Sequence, residues 1–243
     1  MDLQNRVVLI TGAARRLGRA IALRLARRGC RIAAHYHRSE ADVRTLLSEC
    51  AEIGVDAEAF RANLAEIEAT RALVPAVLKR FGALDVLVNN ASRFERMDLD
   101  TFAPHAWEET LRVNLAAPMI LAHAARDALR AARGRIVNLH DAATARPWPD
   151  HLAYIVSKGA LDTLTRALAR AFAPEVNVVG VAPGVADWPA EYDDATRARL
   201  TARIPLGRPG SPEDVAAAVQ FLLAEGDYIT GVVLPVDGGR QIR

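Results

Sequence analysis

Short runs of apolar, mostly β-branched residues alternate along the chain with longer segments in which apolar residues recur at intervals of three and four. Residues 7–10 form the first apolar run, which is closed by Thr11 and Gly12 and is typical of a strand buried on both faces. Residues 17–28 have the helical spacing, with Gly29 where a helix often ends. The beginning of the chain therefore predicts a strand followed by an amphipathic helix.

The same alternation continues to the end of the chain. It predicts strands at 7–10, 32–36, 56–61, 86–88, 135–139, 176–181 and 232–236, and helices at 17–28, 40–53, 66–80, 107–132, 153–172 and 212–223. Strands that are separated by helices need right-handed crossovers, which make neighbouring strands parallel. The pattern predicts one α/β domain over residues 1–243, of the doubly wound Rossmann type, with a mostly parallel sheet and helices on both faces.

One connection is much longer than the others, between the strand at 176–181 and the helix at 212–223. Long insertions in compact domains are usually lids or binding loops. We therefore expect a substrate loop at about 184–211, with a disordered surface loop as the alternative.

Composition and charge argue against several classes of protein. The 243 residues are 51% hydrophobic and 25% charged, and the formal net charge of +2 is too small to indicate a nucleic-acid partner. Cys30 and Cys50 have no metal-ligand spacing, so we expect no metal site and a reduced, cytoplasmic setting. The first residues lack a secretory signal, and no run approaches the roughly 18 apolar residues of a membrane helix, so we expect no membrane partner.

The segment TGAARRLG joins the first strand to the first helix. Gly12 and Gly18 bracket a turn whose backbone N–H groups can point at a phosphate placed at the positive end of the helix. A tight turn without a ligand is the alternative, but the strand before it and the helix after it favour a nucleotide.

The end of the second strand indicates which dinucleotide binds. NAD enzymes place an acidic residue about 20 positions after the glycine turn to hold the ribose 2′-OH, whereas His37 and Arg38 stand here. A guanidinium can bind a 2′-phosphate bidentately, where a carboxylate would repel it. With Arg15 as a second positive charge in the turn, the sequence predicts NADPH as the cofactor.

Tyr154 and Lys158 lie one turn apart on the helix predicted at 153–172, so an ammonium group is expected beside a phenol. Such a neighbour should lower the tyrosine pKa from its ordinary value near 10 and make the phenol a usable proton donor near neutral pH. An exposed tyrosine and lysine on a helix surface are the alternative.

Motifs in order along the whole chain resemble those of short-chain dehydrogenase/reductases: the glycine turn, NNAS, the asparagine of VNLAAP, and Tyr-xxx-Lys. TGAARRLGRAIA, HYHRS, NNASRF and VDGG further resemble pteridine reductases and the related bacterial dihydromonapterin reductases. The chain departs from the pattern at Asn63, where an aspartate often holds the adenine amino group. It departs again after Pro183-Gly184, where a threonine is missing and Trp188 stands near its place.

The resemblance implies a full set of site residues. The cofactor-binding set is Gly12, Arg15, Arg16, Leu17, Gly18, His37, Arg38, Ser39, Asn63, Leu64, Asn90, Ala91, Ser92, Lys158, Pro183 and Gly184. The substrate-binding set is Arg16, Ser92, Phe94, Asp141, Tyr154 and Trp188, and the catalytic set is Asp141, Tyr154, Lys158 and Asn114. By this resemblance Lys158 also holds the nicotinamide ribose, and Asn114 anchors a water in a proton relay. A helix kink in which Asn114 bonds its own backbone is the alternative.

Asp141 stands where the family usually has a serine, and its charge bears on the choice of substrate. An ionised carboxylate would oppose the alkoxide that forms when a simple carbonyl is reduced. It can instead accept hydrogen bonds from ring N–H or amino groups of a nitrogen heterocycle and share a proton with Tyr154. A pterin offers both groups, and Phe94 would stack on its flat ring, unless Phe94 only packs in the core.

These residues lead us to expect an NADPH-dependent pteridine reductase that takes dihydropterins to tetrahydropterins. A reductase of 3-oxoacyl thioesters or other carbonyls on the same scaffold is the first alternative, and a non-catalytic NADPH-binding sensor is the second. The resemblance also implies a homotetramer built through the long helices, with which the apolar faces at 107–132 and 153–172 are compatible.

Overall fold

Seven short strands form one sheet, and every pairing among the described strands is parallel. The computed structural model describes residues 1–188 and 192–242, so residues 189–191 of the predicted substrate loop and Arg243 lie outside the described residues. The strands are β1 Val7–Ile10, β2 Arg31–Tyr36, β3 Ala57–Arg61, β4 Val86–Asn89, β5 Arg135–Leu139, β6 Asn177–Pro183 and β7 Val233–Val236. Their order across the sheet is β3-β2-β1-β4-β5-β6-β7.

Helices cover both faces of the sheet. They are α1 Arg16–Ala26, α2 Glu40–Ile53, α3 Ile67–Phe81, α4 Pro104–Leu111, α5 Ala117–Ala132, α6 Leu152–Phe172, α7 Asp194–Thr201 and α8 Pro212–Ala224. Val86 and Val88 of β4 belong to the core beneath α1, α2 and α8, whereas Leu87 belongs to the core beneath α3, α5 and α6. This alternation of side chains along one buried strand creates the two layers. In the described part of the chain, no helix is both long and apolar enough to cross a membrane.

The predicted elements are all present, with three differences. The helix predicted at 107–132 begins at Pro104 and is interrupted by a π-helical turn at Arg112–Ala116. The segment at 184–211 contains helix α7, whose N-terminus is capped by Asp193, since its carboxylate accepts from the Thr196 N–H at 2.8 Å. The described sheet is wholly rather than mostly parallel.

The sheet changes direction at β1, which pairs with β2 on one side and β4 on the other. Open α/β sheets bind ligands at such a switch point, outside the carboxyl ends of the strands. All seven strands end at this edge, and the segments that follow them begin at residues 11, 37, 62, 90, 140, 184 and 237. The fold therefore gathers the predicted site residues at one edge of the sheet.

Candidate active site

A cleft of about 850 Å³ runs along the carboxyl edge of the sheet. Most of the predicted site residues line it: Gly12, Arg15, Arg16, Leu17, Gly18, His37, Arg38, Ser39, Asn63, Leu64, Asn90, Ala91, Ser92, Phe94, Asp141, Tyr154, Pro183, Gly184 and Trp188. The exceptions are Lys158 and Asn114, which are buried. In the described residues, no group of three or more His, Cys, Asp or Glu side chains is arranged to hold a metal ion.

The glycine turn needs glycine at both of its predicted positions. Gly12 has φ +64°, in the left-handed region, and a Cβ there would lie 3.1 Å from the Cα of Ala91. A Cβ at Gly18 would lie 2.1 Å from the carbonyl oxygen of Gly12. Asn90 fixes the turn from the other side, because its side-chain amide donates to the carbonyl oxygens of Thr11, at 2.8 Å, and Gly12, at 3.1 Å. The result is a backbone cradle of the kind that accepts a phosphate.

His35 also supports this turn, although no motif singles it out within β2. Its Nδ1 accepts from the Gly12 N–H at 3.1 Å, so its Nε2 carries the proton and faces the carbonyl oxygen of Ala62 at 3.2 Å. Burial lowers the pKa of His35 from 6.5 to about 4. The imidazole is therefore neutral near pH 7 and serves as a fixed acceptor.

The ends of β2 and β3 form the outer part of the cleft. Arg38 is exposed there, and no carboxylate in the described part of the chain lies within 4.0 Å of its guanidinium group. Arg15, by contrast, lies 3.9 Å from Asp42. Asn63 is held by its neighbours, because its side chain donates to Glu66 at 2.9 Å. Among the described residues of this region, Arg38 is therefore available to bind an anion, whereas Arg15 lies near a carboxylate.

Arg16 spans the cleft. It has φ +51°, and its guanidinium group donates to Asp187 at 2.6 Å, which links the glycine turn to the segment after β6. Both side chains are about half exposed. The predicted contacts of Arg16 with pterin and cofactor oxygens stay a prediction, because its partner within the chain is Asp187.

Asp141 and Tyr154 form the centre of the site. The Tyr154 hydroxyl donates to Asp141 Oδ2 at 2.6 Å, and the N–H of Ala143 donates to Asp141 Oδ1 at 2.7 Å. Lys158 Nζ donates to the carbonyl oxygen of Leu139 at 2.7 Å and lies 5.7 Å from the centre of the Tyr154 ring. The carboxylate, rather than the ammonium group, is thus the hydrogen-bond partner of the phenol.

The predicted lowering of the Tyr154 pKa is wrong in this arrangement. Burial and the neighbouring Asp141 carboxylate raise the pKa of Tyr154 well above 10. Burial likewise raises the pKa of Asp141, against its hydrogen bonds and the charge of Lys158, and lowers the pKa of Lys158 to about 8. The phenol therefore keeps its proton near neutral pH, and the carboxyl group takes one up more readily than an ordinary aspartate does.

Asn114 lies in the π-helical turn and joins two parts of the site. Its Oδ1 accepts from the N–H of Arg93 at 2.8 Å, and its Nδ2 donates to the carbonyl oxygen of Arg93 and to Ser157 Oγ, both at 3.0 Å. Ser157 Oγ in turn donates to the carbonyl oxygen of Tyr154 at 2.6 Å. Asn114 thus braces the NNAS segment against α6 instead of bonding its own helix. Its water-anchoring role stays a prediction.

Aromatic side chains form one wall of the cleft. Phe94 is 44% exposed and stacks on His151, with ring centres 4.5 Å apart and an angle of 19° between the planes. It meets Tyr154 edge-on at 4.7 Å, and Trp148 at 6.2 Å. The core-packing alternative for Phe94 is therefore wrong. Trp188 lies against Tyr192, at 6.2 Å between ring centres.

Several cleft residues were missed by the sequence reasoning: Trp148, His151, Tyr192, Arg199, Arg203 and Arg240. Trp148 and His151 lie in the segment just before Tyr154, and this position was the signal that could have placed them in the site. Arg199 and Arg203 come from the insertion, and Arg240 follows the VDGG motif.

The comparisons with known proteins define the class. A family model described as enoyl-(acyl carrier protein) reductase matches residues 12–241, and the chain belongs to this family of short-chain dehydrogenase/reductases. It is 34% identical over 236 residues to the 3-oxoacyl-(acyl-carrier-protein) reductase FabG of Staphylococcus aureus, covering 95% of this chain and 96% of that protein.

Two solved structures share the whole fold. One is FolM alternative dihydrofolate reductase 1 from Brucella canis, complexed with NADP, with a TM-score of 0.93. The two sequences are 32% identical, and the match covers 100% of this chain and 96% of the other. A blue fluorescent protein from a metagenomic library, in complex with NADPH, has a TM-score of 0.92 with 33% identity over 99% of both chains. The predicted Rossmann-type fold is confirmed, and the predicted cofactor is of the kind that these structures contain.

Proposed function

We propose that this protein is an NADPH-dependent reductase of pterins, which takes dihydropterins to tetrahydropterins. The observation that carries the proposal is the 2.6 Å hydrogen bond from Tyr154 to Asp141, a carboxylate where the resembling enzymes usually have a serine. The similarity to the Brucella canis protein described as an alternative dihydrofolate reductase supports the same substrate class.

The residues of the cleft fit the cofactor. The missing Cβ atoms of Gly12 and Gly18 let the turn pack into a tight backbone cradle for a phosphate. Arg38, which has no ion-pair partner among the described residues, offers its guanidinium group to a 2′-phosphate. Asn90, Ala91 and the segment at 183–184 would line the path of the dinucleotide toward Tyr154. When bound, NADPH supplies a hydride to the substrate carbon.

Asp141 and Tyr154 would hold the proton that the reaction consumes. Burial raises the pKa of both groups, so the pair retains a proton near neutral pH that one of them can deliver to a ring nitrogen. Lys158 contributes positive charge from its buried position, with its ammonium group directed by the carbonyl oxygen of Leu139. A serine in place of Asp141 would also leave the phenol its proton, but a carboxyl group can in addition take up a proton of its own.

The same carboxylate would orient the substrate. A pterin ring carries N–H and amino donors on one edge, which a carboxylate can accept with charge-assisted hydrogen bonds. Phe94 is exposed at this point and offers an aromatic surface for the flat ring. Charge at the edge of the ring and apolar contact on its face are the two features that a pterin requires.

Reduction of 3-oxoacyl thioesters is the second candidate function. The 34% identity to the 3-oxoacyl-(acyl-carrier-protein) reductase of Staphylococcus aureus favours it. Asp141 argues against it, because an ionised carboxylate near the forming alkoxide would raise the energy of the transition state.

Initial rates of NADPH oxidation with dihydrobiopterin, dihydromonapterin, dihydrofolate and an acetoacetyl thioester test the proposal. We expect turnover with at least one pterin and little with the thioester. Turnover of the thioester alone would establish the second candidate, while NADPH binding without turnover of any substrate would favour a sensor.

We further propose that the protein acts as a cytoplasmic homotetramer. Met119 on α5 and Val156 on α6 are 42% and 47% exposed, which supports contacts between copies through these helices. Cys30 and Cys50 are free and buried, as suits a reducing compartment. Light scattering coupled to size-exclusion chromatography measures the assembly directly.

A further inference from the structure

Three arginines line the cleft without an ion-pair partner among the described residues. Arg199 belongs to α7, Arg203 follows that helix, and Arg240 follows β7. Within residues 1–188 and 192–242, no carboxylate lies within 4.0 Å of these guanidinium groups. Arg197, on the same helix but outside the cleft, lies 3.9 Å from Asp194.

Packing between the end of the insertion and the turn after β7 holds these arginines to one region. Ile204, next to Arg203, is only 3% exposed, and a Cβ at Gly238 would lie 2.6 Å from Ile204 Cγ2. The N–H of Leu206 donates to the carbonyl oxygen of Gly238 at 3.1 Å. Since Arg240 follows this turn directly, the two segments present their arginines to the same end of the cleft.

The acidic side chains of the cleft are already engaged by other groups. They pair as Glu95 and Glu109 with Arg93, Asp150 with His151, Asp187 with Arg16, and Asp141 with the Tyr154 hydroxyl. The charges of Asp193 and Asp141 act on Arg199 and Arg240 only from a distance, and Arg240 lies 5.7 Å from the centre of the Trp148 ring. No carboxylate of the described cleft therefore forms an ion pair with any of the three arginines. Such a site attracts an anion from another molecule.

The 2′-phosphate of the cofactor cannot be that anion. Arg38 follows β2 and Arg240 follows β7, and the order β2-β1-β4-β5-β6-β7 puts five strand spacings between them. At roughly 4.8 Å per spacing these ends of the strands are about 24 Å apart. The glycine turn that would hold the pyrophosphate follows β1, four strand spacings or about 19 Å from the end of β7. Because neither phosphate site of the cofactor is near Arg240, the second anion would belong to the substrate.

We infer that Arg199, Arg203 and Arg240 bind a carboxylate or phosphate on the side chain that the substrate carries beyond its reacting ring. This inference rests on the proposed function, because it takes the ring itself to be a pterin. The three arginines then select pterins with an acidic side chain over neutral ones. Guanidinium groups suit both anions, since each accepts two parallel hydrogen bonds from one arginine.

Calorimetric binding of oxidised pterins to the full-length protein with NADP⁺ tests this without turnover. The ligands are folic acid, pteroic acid, a pterin phosphorylated on its hydroxymethyl group, and neutral 6-hydroxymethylpterin. We expect the carboxylate or the phosphate ligands to bind about tenfold more tightly than the neutral pterin, and this preference to shrink in about 0.5 M KCl. The two kinds of acidic ligand distinguish a carboxylate from a phosphate source.

The double variant Arg199→Ala/Arg203→Ala should lose the preference and keep its affinity for the neutral pterin. Arg240→Ala should reduce the preference in the same direction, and the control Arg197→Ala should retain it. Equal binding of acidic and neutral ligands by the wild type overturns this inference and leaves the proposed function standing. Parallel loss of both kinds of ligand in the double variant also overturns it. If no pterin binds, the proposed function and this inference fail together.

Discussion

Asp141→Ser should separate the two substrate classes. The change removes a carboxylate that accepts hydrogen bonds from Tyr154, at 2.6 Å, and from the N–H of Ala143, at 2.7 Å. A serine retains a hydroxyl near the reacting atoms but carries no charge. Pterin reduction should therefore fall, while reduction of a simple activated carbonyl should stay level or rise.

The size of the effect follows from the lost contact. A charge-assisted hydrogen bond from the pterin to the carboxylate contributes about 1.5–3 kcal/mol, so pterin turnover should fall roughly ten- to hundredfold. Removing Asp141 also removes a cause of the raised Tyr154 pKa. The pH at which the phenol ionises should accordingly move down in the variant.

The assay measures kcat and KM for dihydrobiopterin and for an activated ketone on one preparation that has been shown to bind NADPH. Asp141→Asn separates charge from shape, because the amide fills the same space without the negative charge. Asp150→Asn is the matched control, since Asp150 is another carboxylate of the cleft and pairs with His151 at 3.0 Å. Parallel loss of both activities in Asp141→Ser would refute the reasoning and make the carboxylate structural.

Four further perturbations test other parts of the site. Arg38→Ala should raise the KM for NADPH about ten- to hundredfold and leave NADH kinetics largely unchanged, and equal effects on both cofactors would contradict the 2′-phosphate assignment. Tyr154→Phe should lower kcat by about 10²- to 10⁴-fold while NADPH still binds in a fluorescence titration; full activity would exclude the phenol as proton donor. Lys158→Met should lose both turnover and NADPH affinity, whereas a defect in kcat alone would argue against a ribose contact. Burial lowers the pKa of His35 from 6.5 to about 4. Below pH 6.5 the unfolded chain therefore takes up a proton that the folded protein does not. The free energy of unfolding should accordingly fall as the pH is lowered from 6.5 toward 4. The loss should reach about 2 kcal/mol at about pH 5 in urea unfolding, and His35→Gln should reduce it; an unchanged pH dependence would contradict the assignment.

The repeating elements of the fold could be predicted because their signals are local. Helix α2 begins and ends at the residues that the apolar spacing predicts, Glu40 and Ile53. Helix α7 could not be predicted in this way, because none of its residues is buried and it therefore has no apolar stripe. Its capping residue Asp193 was the one available signal.

Positions in the site and the contact of Asp141 with Tyr154 could be predicted from motifs, but burial and the contact of Arg16 with Asp187 could not. The spacing of Tyr154 and Lys158 correctly put both on α6. The sign of the tyrosine pKa shift was wrong because spacing along a helix says nothing of burial or of Asp141 Oδ2 at 2.6 Å. The pair of Arg16 and Asp187 joins residues that no local pattern connects.

The π-helical turn at Arg112–Ala116 restricts the length of this part of the chain as well as its composition. Such a turn holds one residue more than an α-helix would, and each residue rotates a helix by about 100°. Deleting a residue here would regularise the helix and rotate α4 against α5 by that angle. Asn114 could then no longer reach both the Arg93 backbone and Ser157. A single deletion within 112–116 should therefore disrupt the site, whereas a substitution of the exposed Arg112 side chain should leave it intact.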